Sequence, residues 1–348
     1  MNTKHKKKAT LKEVARLAGV SPPAASQALS GKGNVSIETR QIVEAAARSL
    51  GYERTSFQKN AIKDQMLTIG LLFNLQGQGQ YNLITLREFI SSVQASIAQE
   101  NGAFVLVPCS ESESDESTIS TIARTNIKGV ISFAHYSETL FRALEARGIT
   151  VLVFNNHLSH NKFLSVALDD FQATYEATKY LIDKGHTNIA YAYTNRPNIP
   201  RLEHNRFFGY RKALEESDIT YSDELILYYA DSEIEKTKEI VLRILAHHQR
   251  PSAIVCLDDR IASGIHYIAT RAGYRVPEDL SLIAHGDLLD YSLMQTPGIT
   301  TMRLNPATAA QFSTGLVVDS LVSNHKTIKT IKIQEHLIER GSCRDVTE

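Results

Sequence analysis

The stretch "VSPPAASQALS", residues Val20 to Ser30, decides how the N-terminal part of this chain folds. It lies between an alanine-rich run, "LKEVARLAG" (residues 11–19), and a glycine- and asparagine-containing turn, "GKGNVS" (residues 31–36). Two consecutive prolines remove two backbone donors and ordinarily stop a helix. The conflict disappears if Ser21 is the N-cap. Pro22 and Pro23 then occupy the first two helical positions, where amides have no intrahelical acceptor to lose. The prolines start a helix rather than break one, and the pattern predicts it from about Pro22 to Leu29. Pro23 disfavours a helical conformation at Pro22, so a distorted first turn is expected.

The flanking residues extend the pattern. Thr10 and Glu13 have the spacing of a capping box, each side chain able to bond the other's amide. Leu11, Val14, Ala15 and Ala18 recur at helical spacing, and Gly19 suits the left-handed position that ends a helix. Ser36 caps a third predicted helix, with Ile42, Val43, Ala46 and Leu50 expected on one face and Gly51 as its stop. Three short helices, the first two joined by a tight turn, make a helix-turn-helix, whose second helix meets base edges in the major groove.

Charge points the same way. Residues 1–65 carry 12 Lys and Arg against 5 Asp and Glu, whereas the other 283 residues carry 26 against 33. A basic module joined to an acidic one suits a polyanion partner, although Lys4, Lys6, Lys7 and Lys8 alone would read as a solvated tail. The 348 residues are enough for two or three domains. No apolar run approaches the ~20 residues that span a bilayer, and no membrane partner is expected. The basic start lacks an apolar export segment, so a cytoplasmic location is expected. Cys109, Cys256 and Cys343 are far apart in sequence and imply neither a disulfide framework nor a zinc site.

The segment "TLKEVARLAGVSPPAASQALSGKGNVSIETRQIVEAAARSLGY", residues 10–52, resembles the DNA-binding headpiece of the lactose/galactose-repressor family of bacterial transcription regulators. "VARLAGVS", "VSIETR" and "LGY" carry the resemblance. It implies a headpiece over residues 1–52, a linker over 53–66 and an effector-binding, dimerising core over 67–348. Thr10, Ser21, Asn34 and Tyr52 match family positions that hold phosphates, contacts that set register without reading sequence. The chain departs from the family where the family reads DNA: Ala24, Ala25 and Gln27 stand where a threonine, a β-branched residue and often an arginine are usual, and Pro22, Pro23, Ser26 and Gln27 are the residues expected at the groove. Prolines offer apolar contact to a thymine methyl, while Gln27 can bond adenine in a bidentate way. In the linker, "ERTSFQKNAIKDQM" puts Lys59 where a phosphate contact is expected, but Ala61 where the family has a leucine wedge. Phe57 or Ile62 could replace that wedge.

From Leu67 onward, apolar runs such as "LTIGLLF", "FVLVP", "GVISF", "VLVF", "NIAYAY", "SAIVC" and "LSLIA" alternate with helical stretches. Alternation of this kind implies parallel sheets buried on both faces. About nine strands suit two doubly wound lobes with a ligand cleft between them. The fold class expected is thus an all-α helix-turn-helix headpiece joined to an α/β core of two doubly wound parallel-sheet lobes. The stretch "SESESDES" (residues 110–117) reads as a surface loop or helix start.

The core also resembles that of the family, which shares the fold of periplasmic sugar-binding proteins. By position, Asn74, Asn155, Arg206 and Asp258 match ligand-contacting sites, and Arg206 has a structural ion pair as its alternative. Asp258 and Asp259 read as a helix cap and a surface charge. "AHGD" at residues 284–287 replaces a "GFDD"-like turn, leaving Gly286 where a sugar-binding aspartate is common and Asp287 beside it. That loss leaves a sugar, a modified sugar, a nucleoside or no small ligand open.

Rival classes are weaker. "GQGQYN" (residues 77–82) lacks the third glycine of a dinucleotide fingerprint, and there is no Walker A or GxSxG motif. No cofactor and no enzyme activity are expected. The histidines, including His157, His160, His186 and His285, show no metal-ligand spacing and are expected at surfaces or helix ends. The reading is a ligand-responsive regulator, most simply a repressor, binding a palindromic operator as a homodimer or tetramer, with a sugar or sugar derivative as effector. A core that serves only dimerisation or a protein partner is the alternative.

Overall fold

The computed structural model describes residues 10–30, 35–50, 67–74, 83–109, 114–133, 137–155, 161–194, 200–229, 234–247, 250–323 and 328–347. Between Gln65 and Met66 the chain divides into two compact units.

The first unit holds α1 (Leu11–Leu17), α2 (Pro22–Ser30) and α3 (Ile37–Ser49). Thr10 N donates to Glu13 Oε2 at 2.6 Å and Glu13 N donates to Thr10 Oγ1 at 3.4 Å, closing the reciprocal box. Ala24 N donates to Ser21 Oγ at 3.3 Å, and Ala25 N to Ser21 O at 2.9 Å. Ser21 is therefore the cap, and the prolines open α2 as the sequence implies. Val14, Ala15, Ala25, Ala28, Val43, Ala46 and Ala47 form the core of this unit. Ile42 and Leu50 do not join it; they are 54% and 38% exposed. The buried stripe of α3 runs through Val43, Ala46 and Ala47 at i, i+3 and i+4, which turns Ile42 outward, and Leu50 lies past the helix end.

The second unit is built from two lobes. Lobe 1 contains β1 (Thr68–Asn74), β2 (Ala103–Cys109), β3 (Gly129–Phe133), β4 (Thr150–Phe154), β5 (Leu164–Leu168) and β11 (Thr330–Ile333). They form a wholly parallel sheet in the order β11-β5-β4-β3-β1-β2. Its helices are α4 (Leu83–Gln99), α5 (Asp115–Ala123), α6 (Glu138–Ala146) and α11 (Pro306–Ser323). Lobe 2 contains β6 (Ile189–Tyr193), β7 (Ile226–Tyr228), β8 (Ala253–Cys256), β9 (Ser281–His285), β10 (Thr300–Arg303) and β12 (His336–Ile338). Here the order is β12-β10-β9-β8-β6-β7, parallel except for the antiparallel edge strand β12. Its helices are α7 (Asp170–Asp183), α8 (Pro200–Glu215), α9 (Ile234–Leu245) and α10 (Asp259–Arg271).

Each of the seven apolar runs quoted above becomes a strand. The described residues also hold β5, β7, β10, β11 and β12, so the strands outnumber the nine expected. Of the acidic serine-rich stretch, residues 114–117 lie at a helix start, where Ser117 N donates to Ser114 Oγ at 3.4 Å at the head of α5, and residues 110–113 lie outside the described residues. All three cysteines are free. No helix among the described residues is long and apolar enough to cross a membrane.

The chain passes between the lobes three times, from β5 to α7, from β10 to α11 and from β11 to β12. Helices α7 and α8, directly after the first passage, cross at Gly209. A Cβ there would lie 2.2 Å from Phe171 O and 3.0 Å from Tyr175 N, both backbone atoms that cannot rotate away. Gly209→Ala is expected to cost about 1–3 kcal/mol through forced separation of the helices. A urea midpoint unchanged from wild type would refute this.

Candidate functional site

In the helix-turn-helix unit, Ala25 and Ala28 hold α2 against the core, which turns the opposite face outward. Ser21, Pro22, Pro23 and Gln27 are exposed and Ser26 is half-buried. Pro22 and Ser26, and Pro23 and Gln27, are i, i+4 pairs, so these side chains share one side of the helix. No acidic residue occupies the first turn of α2, so the positive end of its dipole is open to phosphate. Thr10 is exposed, and its hydroxyl donates to Glu13 Oε2 at 2.8 Å. Asn34, Tyr52 and Lys59 lie outside the described residues, as do Phe57, Ala61 and Ile62.

In the core, the candidates sit where strands end. Asn74 is the last residue of β1, Asn155 follows β4, Asp258 follows β8 by two residues, and Asp287 follows β9 by two. Ligands of open α/β sheets bind in the crevice outside these carboxyl ends. Asn155 takes a left-handed conformation (φ 48°), and its Oδ1 accepts from Leu168 N at 3.4 Å.

The lobe 2 candidates are tied into one assembly. Arg206 on α8 is buried, donates from Nε to Asp170 Oδ1 at 2.8 Å, and reaches Leu257 O with Nη1. Burial opposes its charge, but Asp170 and then Glu335 outweigh that and raise its pKa. Asp258, the next residue after Leu257, caps α10: its Oδ1 accepts from the amides of Arg260 and Ile261, both at 3.1 Å. Its Oδ2 accepts from Arg260 Nη2 at 2.8 Å.

Asp259 is fully buried, not a surface charge. Its Oδ2 accepts from Leu288 N at 2.7 Å, Leu289 N at 2.9 Å and the Tyr291 hydroxyl at 2.9 Å. Burial, reinforced by the Asp258 charge, pushes its pKa up to about 6 against the pull of those donors.

The turn that replaces the family's carboxylate is fixed by conformation. Gly286 has φ 99° and Asp287 φ 54°, and a Cβ on Gly286 would come within 2.9 Å of Leu288. An aspartate at 286 would be strained in this backbone. The Asp287 carboxylate turns inward: Oδ1 meets Thr301 Oγ1 at 2.7 Å and Arg340 Nη2 at 2.5 Å, and Oδ2 meets Arg303 Nε at 3.3 Å. Arg303 in turn bonds Glu88 of lobe 1 at 3.1 Å, so a chain of charges runs from this turn across to α4.

Two of the histidines named in the sequence lie in the interior of lobe 2. His186 and His285 are both fully buried, whereas surfaces or helix ends were expected. His186 does follow the end of α7, where it contacts Ser252 Oγ and Arg344 O. His285 lies under the Gly286 turn, against Glu335 and Thr174. His157 and His160 lie outside the described residues.

Comparison with known proteins identifies both units. Residues 10–55 match the model of the lacI family of bacterial regulatory proteins, and residues 178–343 that of a periplasmic binding protein-like domain. The HTH-type transcriptional repressor PurR of Pectobacterium atrosepticum is 30% identical over 348 residues, spanning 97% of both chains. The chain belongs to the LacI family. Membership makes it a DNA-binding transcription regulator, and its relatives carry regulator names rather than enzyme names. PurR of Escherichia coli O139:H28 is 28% identical over 346 residues, again 97% of each. The lac repressor dimer bound to operator and the anti-inducer ONPF superposes with a TM-score of 0.62 at 20% identity, over 97% of this chain and 100% of that one. The regulator CelR in complex with cellobiose gives 0.65 at 22%, over 96% and 99%. At such identities these structures speak for the LacI family fold alone: a helix-turn-helix unit and a periplasmic-binding-protein-like α/β core.

Proposed function

We propose that the chain is a ligand-responsive repressor that binds a two-fold symmetric operator as a homodimer, with a sugar or sugar derivative held between the two lobes. The observation that carries the DNA half is the Ser21-capped α2, which buries Ala25 and Ala28 and presents Pro22, Pro23 and Gln27. Its nine residues reach too few base pairs to define a site alone, and two-fold symmetry doubles the reading. Thr10, Ser21, Asn34, Tyr52 and Lys59 would hold phosphates, and Pro22, Pro23, Ser26 and Gln27 would face bases.

The effector half draws support from the structural neighbours, among them a regulator in complex with cellobiose. Asn74, Asn155 and Arg206 would contact the effector at the strand ends, with Asp258 and Asp287 shaping the wall through the bonds described above. Effector binding would favour one lobe closure and so shift the population competent for operator.

Selection from a random duplex pool with the full-length protein, at two salt concentrations, tests the reading. Enrichment of a palindrome supports it; binding that is salt-sensitive and blind to sequence defeats it. On the selected site, Gln27→Ala should cost about 1–3 kcal/mol and relax preference at one position per half-site. A selected sequence unchanged by the substitution would remove Gln27 from the reading face.

A further inference from the structure

Lobe 2 carries a cleft of about 350 Å³ where α7 passes the edge strand β12. Glu176, Lys179 and Asp183 reach it from α7, and Glu335 from the passage between β11 and β12. The apolar part of its wall is Ala173, Tyr180, Met302 and Leu337. Three carboxylates thus face one ammonium, and that ammonium is already engaged: Lys179 Nζ donates to Ser217 Oγ at 3.1 Å and lies 3.9 Å from Asp183. The excess of negative charge disfavours an anion here and favours a cationic occupant.

An acidic lining alone would be a solvated face. What separates this one is Glu335, whose side chain is 1% exposed. Nδ1 of His285 meets its Oε2 at 2.9 Å, but its Oε1 has no hydrogen-bond partner among the described residues. A buried carboxylate oxygen without a donor is costly, and the cleft that Glu335 lines is the place from which a donor can come. Arg206 feels the Glu335 charge, but its guanidinium bonds Asp170 and Leu257 O instead.

The chemistry of that donor follows from what surrounds the cleft. Among the described residues no three His, Cys, Asp or Glu side chains converge to hold a metal ion, which leaves an organic cation. Lys184 Nζ stands 4.9 Å from the centre of the Tyr180 ring, so this wall already accepts one alkyl ammonium. The carboxylates are also spread out. Glu335 and Thr174 meet the same His285 ring, which puts Glu335 beside the first half of α7. At a rise of about 1.5 Å per residue, Asp183 ends the helix roughly 13 Å further along. Glu339, bonded to the Tyr180 hydroxyl, adds a carboxylate on that side. Counting Glu339 and Lys184, four carboxylates face two ammonium groups. Two acidic ends with an apolar middle match a chain of methylenes bearing an ammonium at each end.

We propose that the cleft between α7 and β12 binds a linear aliphatic diamine, one ammonium on Glu335 and the other on Asp183. The buried end supplies most of the affinity, because Oε1 gains its donor there, while Asp183, 72% exposed, adds a screened contact. Part of the wall is α7 and part is the β11–β12 passage between the lobes, so an occupant ties that passage to the helix. The site shares no residue with the effector candidates Asn74, Asn155, Arg206, Asp258 and Asp287.

Calorimetric titration of the full-length protein at low salt, with 1,6-diaminohexane and with n-hexylamine as the one-ended probe, tests this. Saturable binding of one diamine per chain is expected, several-fold tighter than that of the monoamine. Glu335→Gln should weaken both amines about tenfold or more, whereas Asp183→Asn should remove only the preference for the diamine. Absence of saturable heat, equal wild-type affinity for the two amines, or an affinity unchanged in Glu335→Gln overturns the site. Should Glu335→Gln fail to fold, hydrogen exchange of the wild type decides. The diamine is expected to slow exchange at the amides of residues 172–183 and 334–338, and an unchanged pattern there overturns the proposal. Both measurements are made without DNA or sugar, so failure here leaves the repressor reading standing, and a failed operator selection leaves this site standing.

Discussion

Replacing Asp170 by Ala should remove about 3–5 kcal/mol from the stability of the core, because it strands a guanidinium inside the protein. Arg206 and Asp170 have side-chain exposures of 8% and 1%, and their shortest N–O distance is 2.8 Å. At that burial neither water nor salt screens the pair. Most of the loss comes from the uncompensated charge and not from the missing contact. The decisive control is the double variant Asp170→Leu, Arg206→Met. Apolar replacement of both partners is often neutral, so the double variant should be markedly more stable than Asp170→Ala. Urea midpoints at a constant slope would measure the difference. If single and double variants lost the same amount, stranded charge would not be the cause. The pair also locates Arg206: Leu257 O receives its Nη1, and Asp258 follows directly in sequence. A change at residue 170, a position no effector need touch, should thus disturb the strand-end wall of lobe 2.

What the sequence reveals here depends on how far apart the partners lie. Thr10 with Glu13, and Ser21 with Ala24, are three residues apart, and their bonds follow from spacing alone. Continuous apolar runs made β1, β3 and β8 legible because a strand covered on both faces must be apolar throughout. The strands "TIKI" and "HLI" of β11 and β12 are short, and their outer residues face water. Nothing in such short runs separates a strand from a loop. Burial of charge is harder still. His285 reaches Thr174 across 111 positions and Glu335 across 50, and Asp259 finds its donors 29 to 32 residues away. No local pattern encodes those meetings. Asp258 and Asp287 show the same limit in another form: their positions by strand ends were readable, but the arginines and amides that occupy their oxygens were not.

Asp259→Asn should change how stability depends on acid. The buried carboxyl of Asp259 has its pKa pushed up from 3.8 to about 6, chiefly by burial. A carboxyl with a raised folded pKa binds its proton more tightly in the native state than in the unfolded chain. Its contribution to stability is therefore fully present below pH 4 and lost as pH rises to 6, the reverse of a salt-bridged aspartate. The shift corresponds to about 3 kcal/mol across that window. An asparagine cannot ionise, yet its amide oxygen can still accept from Leu288 N, Leu289 N or the Tyr291 hydroxyl. The difference in unfolding free energy, Asn variant minus wild type, should rise by about 3 kcal/mol between pH 4 and 7 and level off above that. Denaturant titrations at several pH values would measure it, and a flat difference would mean that Asp259 is solvated well enough to keep an ordinary pKa. The turn supplies the second half of the test. If the substituted amide holds it as argued, the amides of Leu288 and Leu289 stay protected from hydrogen exchange in the variant at pH 7. Unprotected amides with the expected stability profile would show that the negative charge itself, and not only an acceptor in that place, keeps the turn against the N-terminus of α10.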